Sequence, residues 1–290
     1  MSVSQIFSDR SHRAAPTPFL AWVHVERAFY GLLVLIGAGL RLGWLRVEPL
    51  NSLEAGQAWS AWLAVNGSGN SGPAPDSPLL YSVQTLLFWL LGPGDAIARV
   101  VPALCGVGVI ALLWYWRAWL GQITTLLAAL LVTVDPWLTA SSRLADSAML
   151  ALFLALLTIT GLLQMAAQTA NQPDVPVSAG WRTTTALSLG LLLISGPQAW
   201  SWLVVVALFA WLCLPRASIQ LWLRDGGWWT LVAAAAVLGA TGWLARPEGL
   251  GAISTSFTVW LQQITGSGVT EPYTLSWLGW RLLLEEPLLL

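Results

Sequence analysis

Apolar residues fall along this chain in long blocks rather than in alternation. Seven runs, some only with their interfacial flanks, approach the ~20 apolar residues that a helix needs to cross a hydrocarbon core of about 30 Å. They lie at approximately 28–47, 97–117, 120–138, 146–168, 183–198, 200–214 and 228–245. The fifth and sixth are short and meet at "SGPQAW", which leaves a tight hairpin or one long kinked helix. An eighth apolar stretch, "SPLLYSVQTLLFWLLG" at 77–92, decides the topology by spanning or not spanning.

Shorter elements frame these runs. At 52–65, Ala55, Trp59, Trp62 and Leu63 follow helical spacing and predict a helix lying on the membrane surface. "NGSGNSGPAP" is a flexible connector between it and 77–92. After the seventh run come a short amphipathic segment, "FTVWLQQI", and a final apolar "WLGWRLLLEEPLLL".

Charge assigns the sides. With 77–92 in the interface, one set of loop ends collects Arg10, Arg13, Arg27, Arg117, Arg182, Arg216 and Arg224, as the positive-inside rule asks of the cytoplasmic side. The other side receives Glu48, Glu54, Asp76, Asp95, Asp135, Asp146, Glu248 and Glu271. Were 77–92 to span, Arg117 would move outside and every later loop would carry the wrong sign. The sequence thus predicts an all-α, multi-pass integral membrane protein of about seven transmembrane helices, with interfacial helices in the first outer loop. Residues 1–27 are a cytoplasmic tail, 28–245 a membrane domain with outer loop 48–96, and 246–290 an outer C-terminal tail. The expected location is the bacterial inner membrane.

Composition agrees and removes several chemistries. The 290 residues are 56% hydrophobic and 9% charged, with a mean hydropathy of +0.68, against roughly 25% charged in soluble domains. All 13 basic residues are arginine, so no lysine is present for Schiff-base or Walker chemistry. Both histidines, His12 and His24, lie in the tail, which leaves no histidine metal site or Ser-His-Asp triad in the membrane body. No metal or cofactor is expected. Cys105 and Cys213 sit in apolar runs, as small hydrophobes do. A net charge of −1 without a basic cluster offers nothing to nucleic acid. Most of the 20 tryptophans fall at run ends, forming an aromatic belt.

One carboxylate draws attention. In "LNSLEAGQAW", Glu54 follows Asn51 by three residues, the spacing of a reciprocal helix cap, and it is also placed where a catalytic base would face the outer side. On the capping reading Glu54→Gln leaves the fold nearly unchanged, since glutamine still reaches the Asn51 N–H.

The order of elements, with "SPLLYSVQTLLFWLLGPGDAIARVVPALCGVGVIALLWYWRAWLG" and "LLAALLVTVDPWLTASSRLADSAMLALFLALL", resembles the N-terminal half of the GT-C membrane glycosyltransferases. The likeness is to the protein O-mannosyltransferase and aminoarabinose-transferase branch, over most of residues 28–290. It implies transfer of a sugar, with inversion, from a polyprenyl-phosphate donor to an acceptor hydroxyl on the outer side of the membrane. It further implies Glu54 as base assisted by Asp146, with Arg99 and Arg143 at the donor phosphate. Arg99 serves equally as an interfacial helix anchor, and the i, i+3 spacing of Arg143 and Asp146 suits an ordinary ion pair.

Three departures point the other way. The family's first outer helix opens with an Asp-Glu pair, and here Leu53 stands where the Asp is the base. Only Pro78 remains of a proline pair, with Asp76 in place of a basic residue or histidine. The family chain continues through further spans, whereas this sequence stops at Leu290. The expectation is therefore a GT-C-like body whose catalysis has lapsed, packed with membrane lipid and other integral membrane subunits in a larger complex. The active transferase is the alternative. A transporter finds no support, since no inverted repeat is evident.

Overall fold

The computed structural model describes residues 25–43, 45–47, 49–67, 77–171, 177–216, 222, 224–242 and 247–265. Among them every regular element is helical. The order is α1 (Val25–Leu42), α2 (Ser52–Val65), α3 (Pro78–Leu91), α4 (Asp95–Leu113), a 3-10 turn (Trp114–Trp116), α5 (Arg117–Leu120), α6 (Gln122–Val134) and α7 (Pro136–Ser142). Then follow α8 (Ala148–Asn171), α9 (Ala179–Leu193), α10 (Gln198–Cys213), α11 (Gly226–Ala240), a 3-10 turn (Pro247–Leu250) and α12 (Gly251–Thr265). The tail with His12 and His24, Trp44, Glu48, the connector with Asp76, Trp243, and the final apolar stretch lie outside the described residues, as does the side chain of Leu53.

Among the described residues each of the seven apolar runs contains helix, but the helices differ in reach. Asp95–Leu120 and Ala148–Thr169 are long and apolar enough to cross a membrane. The run at 120–138 is not one straight helix: α6 and α7 meet at a 60° bend and count as a third span only if taken together. Pro136 causes the break, because it has no N–H for the Val132 carbonyl and its ring crowds the preceding turn. Helices α10 and α11 are apolar but shorter, about 22–24 Å at 1.5 Å per residue. At "SGPQAW" the chain makes two helices, turning through Gly196 at φ 118°, and α10 packs mainly on α8 rather than back along α9.

Helix α8 is central, packed by α4, α9 and α10, while α1 and α6 lie on the far side of α4 and α11 lies on α9. The main core gathers Val109, Met149, Leu154, Ile159, Leu192 and Val206. Close helix approach depends on glycine. A Cβ on Gly190 would stand 2.4 Å from the Val232 carbonyl oxygen, so α9 and α11 touch backbone to backbone. Thr158 Oγ1 donates to Ser188 Oγ at 2.9 Å across the α8–α9 contact.

Helix α3 starts where the sequence says it should. Ser77 caps it by accepting the Leu80 N–H, Pro78 occupies the first turn, and Gly92 at φ 84° ends it. It is fastened at several points: the Leu79 N–H donates to the Ile194 carbonyl at 3.2 Å, Ser82 Oγ to the Gly239 carbonyl at 3.1 Å, and Gln84 Nε2 to the Ala98 carbonyl at 3.0 Å. Its first half is therefore buried across the ends of α4, α9 and α11, while Leu86, Trp89, Leu90 and Leu91 remain exposed.

The two ends of the bundle carry different charge. Arg27, Arg117, Arg182, Arg216 and Arg224 share one end with Glu26 and Asp225. The end that holds α2 and α3 has Glu54, Asp95, Asp135 and Asp146, but also Arg41, Arg46, Arg99 and Arg143. Two of these last arginines, Arg41 and Arg99, are buried at 1% and 4% exposure, and their hydrogen bonds are to carbonyls and to Glu54. Among the described residues, the arginines that remain accessible are thus weighted to the opposite end.

Candidate functional site

Glu54 sits in the first turn of α2, where the Asn51 cap forms in both directions. Asn51 Oδ1 accepts the Glu54 N–H at 2.9 Å, and the Asn51 N–H donates to Glu54 Oε2 at 3.0 Å. The same carboxylate turns inward and meets Arg99, in the second turn of α4. Arg99 Nε donates to Oε1 at 2.9 Å and Nη2 to Oε2 at 2.8 Å, a parallel two-bond fork. A fourth donor, the Ala145 N–H, reaches Oε1 at 2.6 Å from the turn between α7 and α8.

The pair is sealed, with side-chain exposures of 5% for Arg99 and 2% for Glu54. Arg99 also donates from Nη1 to the Leu45 carbonyl at 3.2 Å and from Nη2 to the Pro49 carbonyl at 3.1 Å. One ion pair thereby ties together the α1–α2 connector, the start of α2, the start of α4 and the α7–α8 turn. Around it Ala58, Ala61, Tyr81, Phe88, Ala98 and Ala145 form an apolar cluster.

Electrostatics follows from this enclosure. Burial pushes the Glu54 carboxyl upward, but the Arg99 hydrogen bonds, then the Asn51 and Ala145 N–H groups and the Arg99 charge, outweigh it. The carboxyl is held below its ordinary range and stays ionised. A carboxylate offers about four acceptor positions, and each Glu54 oxygen already takes two donors. The expectation that Glu54→Gln leaves the fold nearly unchanged is therefore corrected. The cap alone would tolerate glutamine, but the buried Arg99 would lose its counter-charge.

The other two sequence candidates flank this pair. Arg143 is half-buried at the end of α7, and Asp146 is exposed and accepts the Ser147 N–H at 2.6 Å. Residues 143–147 form a turn rather than a helix, so the helical i, i+3 register does not govern them. Trp59 and Trp62 stack at 4.7 Å with 15° between planes; Trp59 is exposed and Trp62 packs on the apolar cluster. The buried face of α2 is carried by Glu54, Ala58 and Ala61. Among the described residues no group of His, Cys, Asp and Glu is arranged to hold a metal ion.

Sequence reasoning passed over Arg41 and Gln84, both buried beside prolines. Pro102 leaves the Ala98 carbonyl without its helical donor and Gln84 supplies one; Pro136 does the same to Val132, where Arg41 Nη2 donates at 2.7 Å. The signal was available, since a proline inside a helix names the carbonyl four residues back.

No protein-family model matches the sequence, and no curated protein matches it. Two solved structures of ArnT from Cupriavidus metallidurans are similar to it, each with a TM-score of 0.49. The first, bound to undecaprenyl phosphate, is 17% identical and the similarity covers 86% of this chain and 43% of ArnT. The second, in the apo state, is 16% identical, covering 89% of this chain and 46% of ArnT. The chain spans less than half the length of ArnT.

Proposed function

We propose that this chain is a GT-C-like integral membrane protein whose own catalysis has lapsed and which acts as an accessory or structural subunit of a larger membrane complex. The observation that carries the reading is the state of Glu54. A general base must present a free lone pair to the hydroxyl it deprotonates, and both oxygens of Glu54 are filled by Arg99, Asn51 and Ala145. Arg99, the expected phosphate ligand, is directed at Glu54 and at two carbonyls. Leu53 stands at the position of the family's Asp. The helix faces are left with broad apolar surface, such as Val204, Leu208, Trp211 and Leu212 on α10, which suits lipid and neighbouring spans alike. On this reading the N-terminus lies in the cytoplasm and Glu54 toward the outer side of a cell (inner) membrane, a sidedness supported by the weighting of accessible arginines to the end away from Glu54.

Two measurements test this. The purified chain is offered polyprenyl-phosphate sugars and turnover is followed, and its particle mass is read after extraction in mild detergent. The expected result is no turnover by the chain alone and a mass well above that of one chain. Turnover above background from a monodisperse single chain would overturn the reading.

A specific observation favours the alternative of an active inverting transferase. Asp146 is exposed beside the Ala145 contact to Glu54, and so keeps a carboxylate accessible at this end. On that reading Asp146→Asn abolishes transfer from a polyprenyl-phosphate donor while Glu54→Gln acts only through stability.

A further inference from the structure

The end of the bundle opposite Glu54 holds an open cleft of about 430 Å³ lined by Trp114, Tyr115, Arg117, Ala118, Gly121 and Gln122. It arises where α4 tightens into the 3-10 turn. At three residues per turn, side chains at i and i+3 eclipse, and Arg117 lies back over Trp114 with its guanidinium carbon 4.9 Å from the ring centroid. Neighbours fix both aromatic walls: Tyr30 meets Trp114 edge-on at 5.0 Å between centroids, and Trp181 meets Tyr115 at 5.2 Å. The cleft is shaped by packing before any ligand enters it.

Arg117 is oriented but not saturated. Its Nε lies 3.1 Å from Glu26 Oε1, and among the described residues no hydrogen bond engages Nη1 or Nη2. The flanking residues Trp119, Leu120 and Ile123 are apolar and exposed. Along the helix Asp95–Leu120, Arg117 stands about 27 Å beyond Arg99 at 1.5 Å per residue. That is close to the ~30 Å of a hydrocarbon core, which puts the cleft at headgroup depth when this helix spans.

We propose that this cleft binds the phosphate of an anionic membrane lipid, with the Nη groups of Arg117 and the amide of Gln122 on the phosphate and the acyl chains along Trp119, Leu120 and Ile123. A free anion has no use for the apolar rim, and a zwitterionic lipid brings a cation that competes with Arg117 for its phosphate. The guanidinium, held on an indole face, offers paired donors to a tetrahedral anion.

The test uses the full chain in mild non-ionic detergent, with bound lipid counted by native mass spectrometry after addition of phosphatidylglycerol or phosphatidylcholine. Arg117→Gln is expected to weaken retention of phosphatidylglycerol about fivefold, the contribution of one arginine near an anionic headgroup. Arg216→Gln, an exposed arginine at the same end outside the cleft, is expected to change nothing. Glu26→Gln, which removes the competing carboxylate, is expected to strengthen retention, and it decides the matter if the Arg117 variant fails to fold. Inorganic phosphate in millimolar excess is expected not to displace the lipid. Equal retention of phosphatidylcholine, an equal loss in Arg216→Gln, no gain in Glu26→Gln, or displacement by inorganic phosphate overturns the proposal.

Discussion

Arg41 donates from Nη2 to the Val132 carbonyl at 2.7 Å, and so replaces the N–H that Pro136 withholds from α6. Nη1 reaches the neighbouring Thr133 carbonyl at 3.4 Å. The guanidinium is admitted by Gly106, where a Cβ would stand 2.9 Å from Arg41 Cδ and Nε. A buried cation is costly, and here its partners are the Val132 and Thr133 carbonyls at the helix break, with the Gly37 carbonyl of its own helix at 3.5 Å.

The two defects should therefore be coupled. Arg41→Met leaves the Val132 carbonyl unsatisfied and should destabilise the chain by about 1–3 kcal/mol. Pro136→Ala removes the barrier to a continuous helix, and once Asp135 turns helical the N–H of residue 136 reaches that carbonyl, so Arg41→Met should cost less in that background. A double-mutant cycle of thermal unfolding in detergent should yield a coupling of about 0.5–3 kcal/mol. Additive effects would show that Arg41 is held by something other than the break.

Glycine substitutions should sort by what a methyl group would meet. Gly190→Ala drives a Cβ against the Val232 carbonyl, a backbone atom that cannot rotate away, and should cost about 1–3 kcal/mol. Gly180, in the first turn of α9, has open space around it, and alanine there should stabilise by up to about 1 kcal/mol. Melting temperatures of the two variants in one detergent check both signs.

What could be read in the sequence was whatever depends on local pattern. The apolar runs gave the helices, and the Asn51–Glu54 spacing gave a cap that forms in both directions. The apolar stretch at 77–92 gave α3, whose start the structure shows capped by Ser77 with Pro78 in the first turn. What could not be read was which distant segments converge. Glu54 and Arg99 are 45 positions apart, and nothing local says that a carboxylate already used as a cap also takes a buried guanidinium. The bend at Pro136 was visible as a residue but was absorbed into a continuous apolar run, because hydropathy does not register a missing N–H.

The position of α3 makes a topological prediction. Fourteen residues give about 21 Å, too short for a hydrocarbon core of about 30 Å. Its first half is also fastened to Ile194 and Gly239 at the ends of other helices. In a chain with the exposed Cys213 replaced by serine, cysteines introduced singly at positions 70 and 94 should both react with an impermeant reagent from the outer side. Reaction at position 70 alone would mean that α3 crosses.

The last prediction concerns acid. The Glu54–Arg99 pair is buried, and removing one charge from a buried pair strands the other, so Glu54→Gln should cost about 3–5 kcal/mol at neutral pH. Replacing both by apolar residues, as in Glu54→Leu with Arg99→Met, should cost less than either single change, since no buried charge is then left unpaired. The pH dependence has a fixed sign. The Glu54 carboxyl is lowered in the folded state relative to its ordinary value of about 4.3, so the unfolded chain takes up this proton more readily than the folded one. Its contribution is fully present above about pH 4.3 and is lost as pH falls through the lower folded value. Unfolding curves from pH 7 down to pH 3 should show wild type and Glu54→Gln far apart at neutrality and converging in acid, because a protonated glutamic acid resembles the amide. A gap that stays constant across this range would mean that Glu54 is held by its cap and by packing, and that Arg99 adds no charge stabilisation.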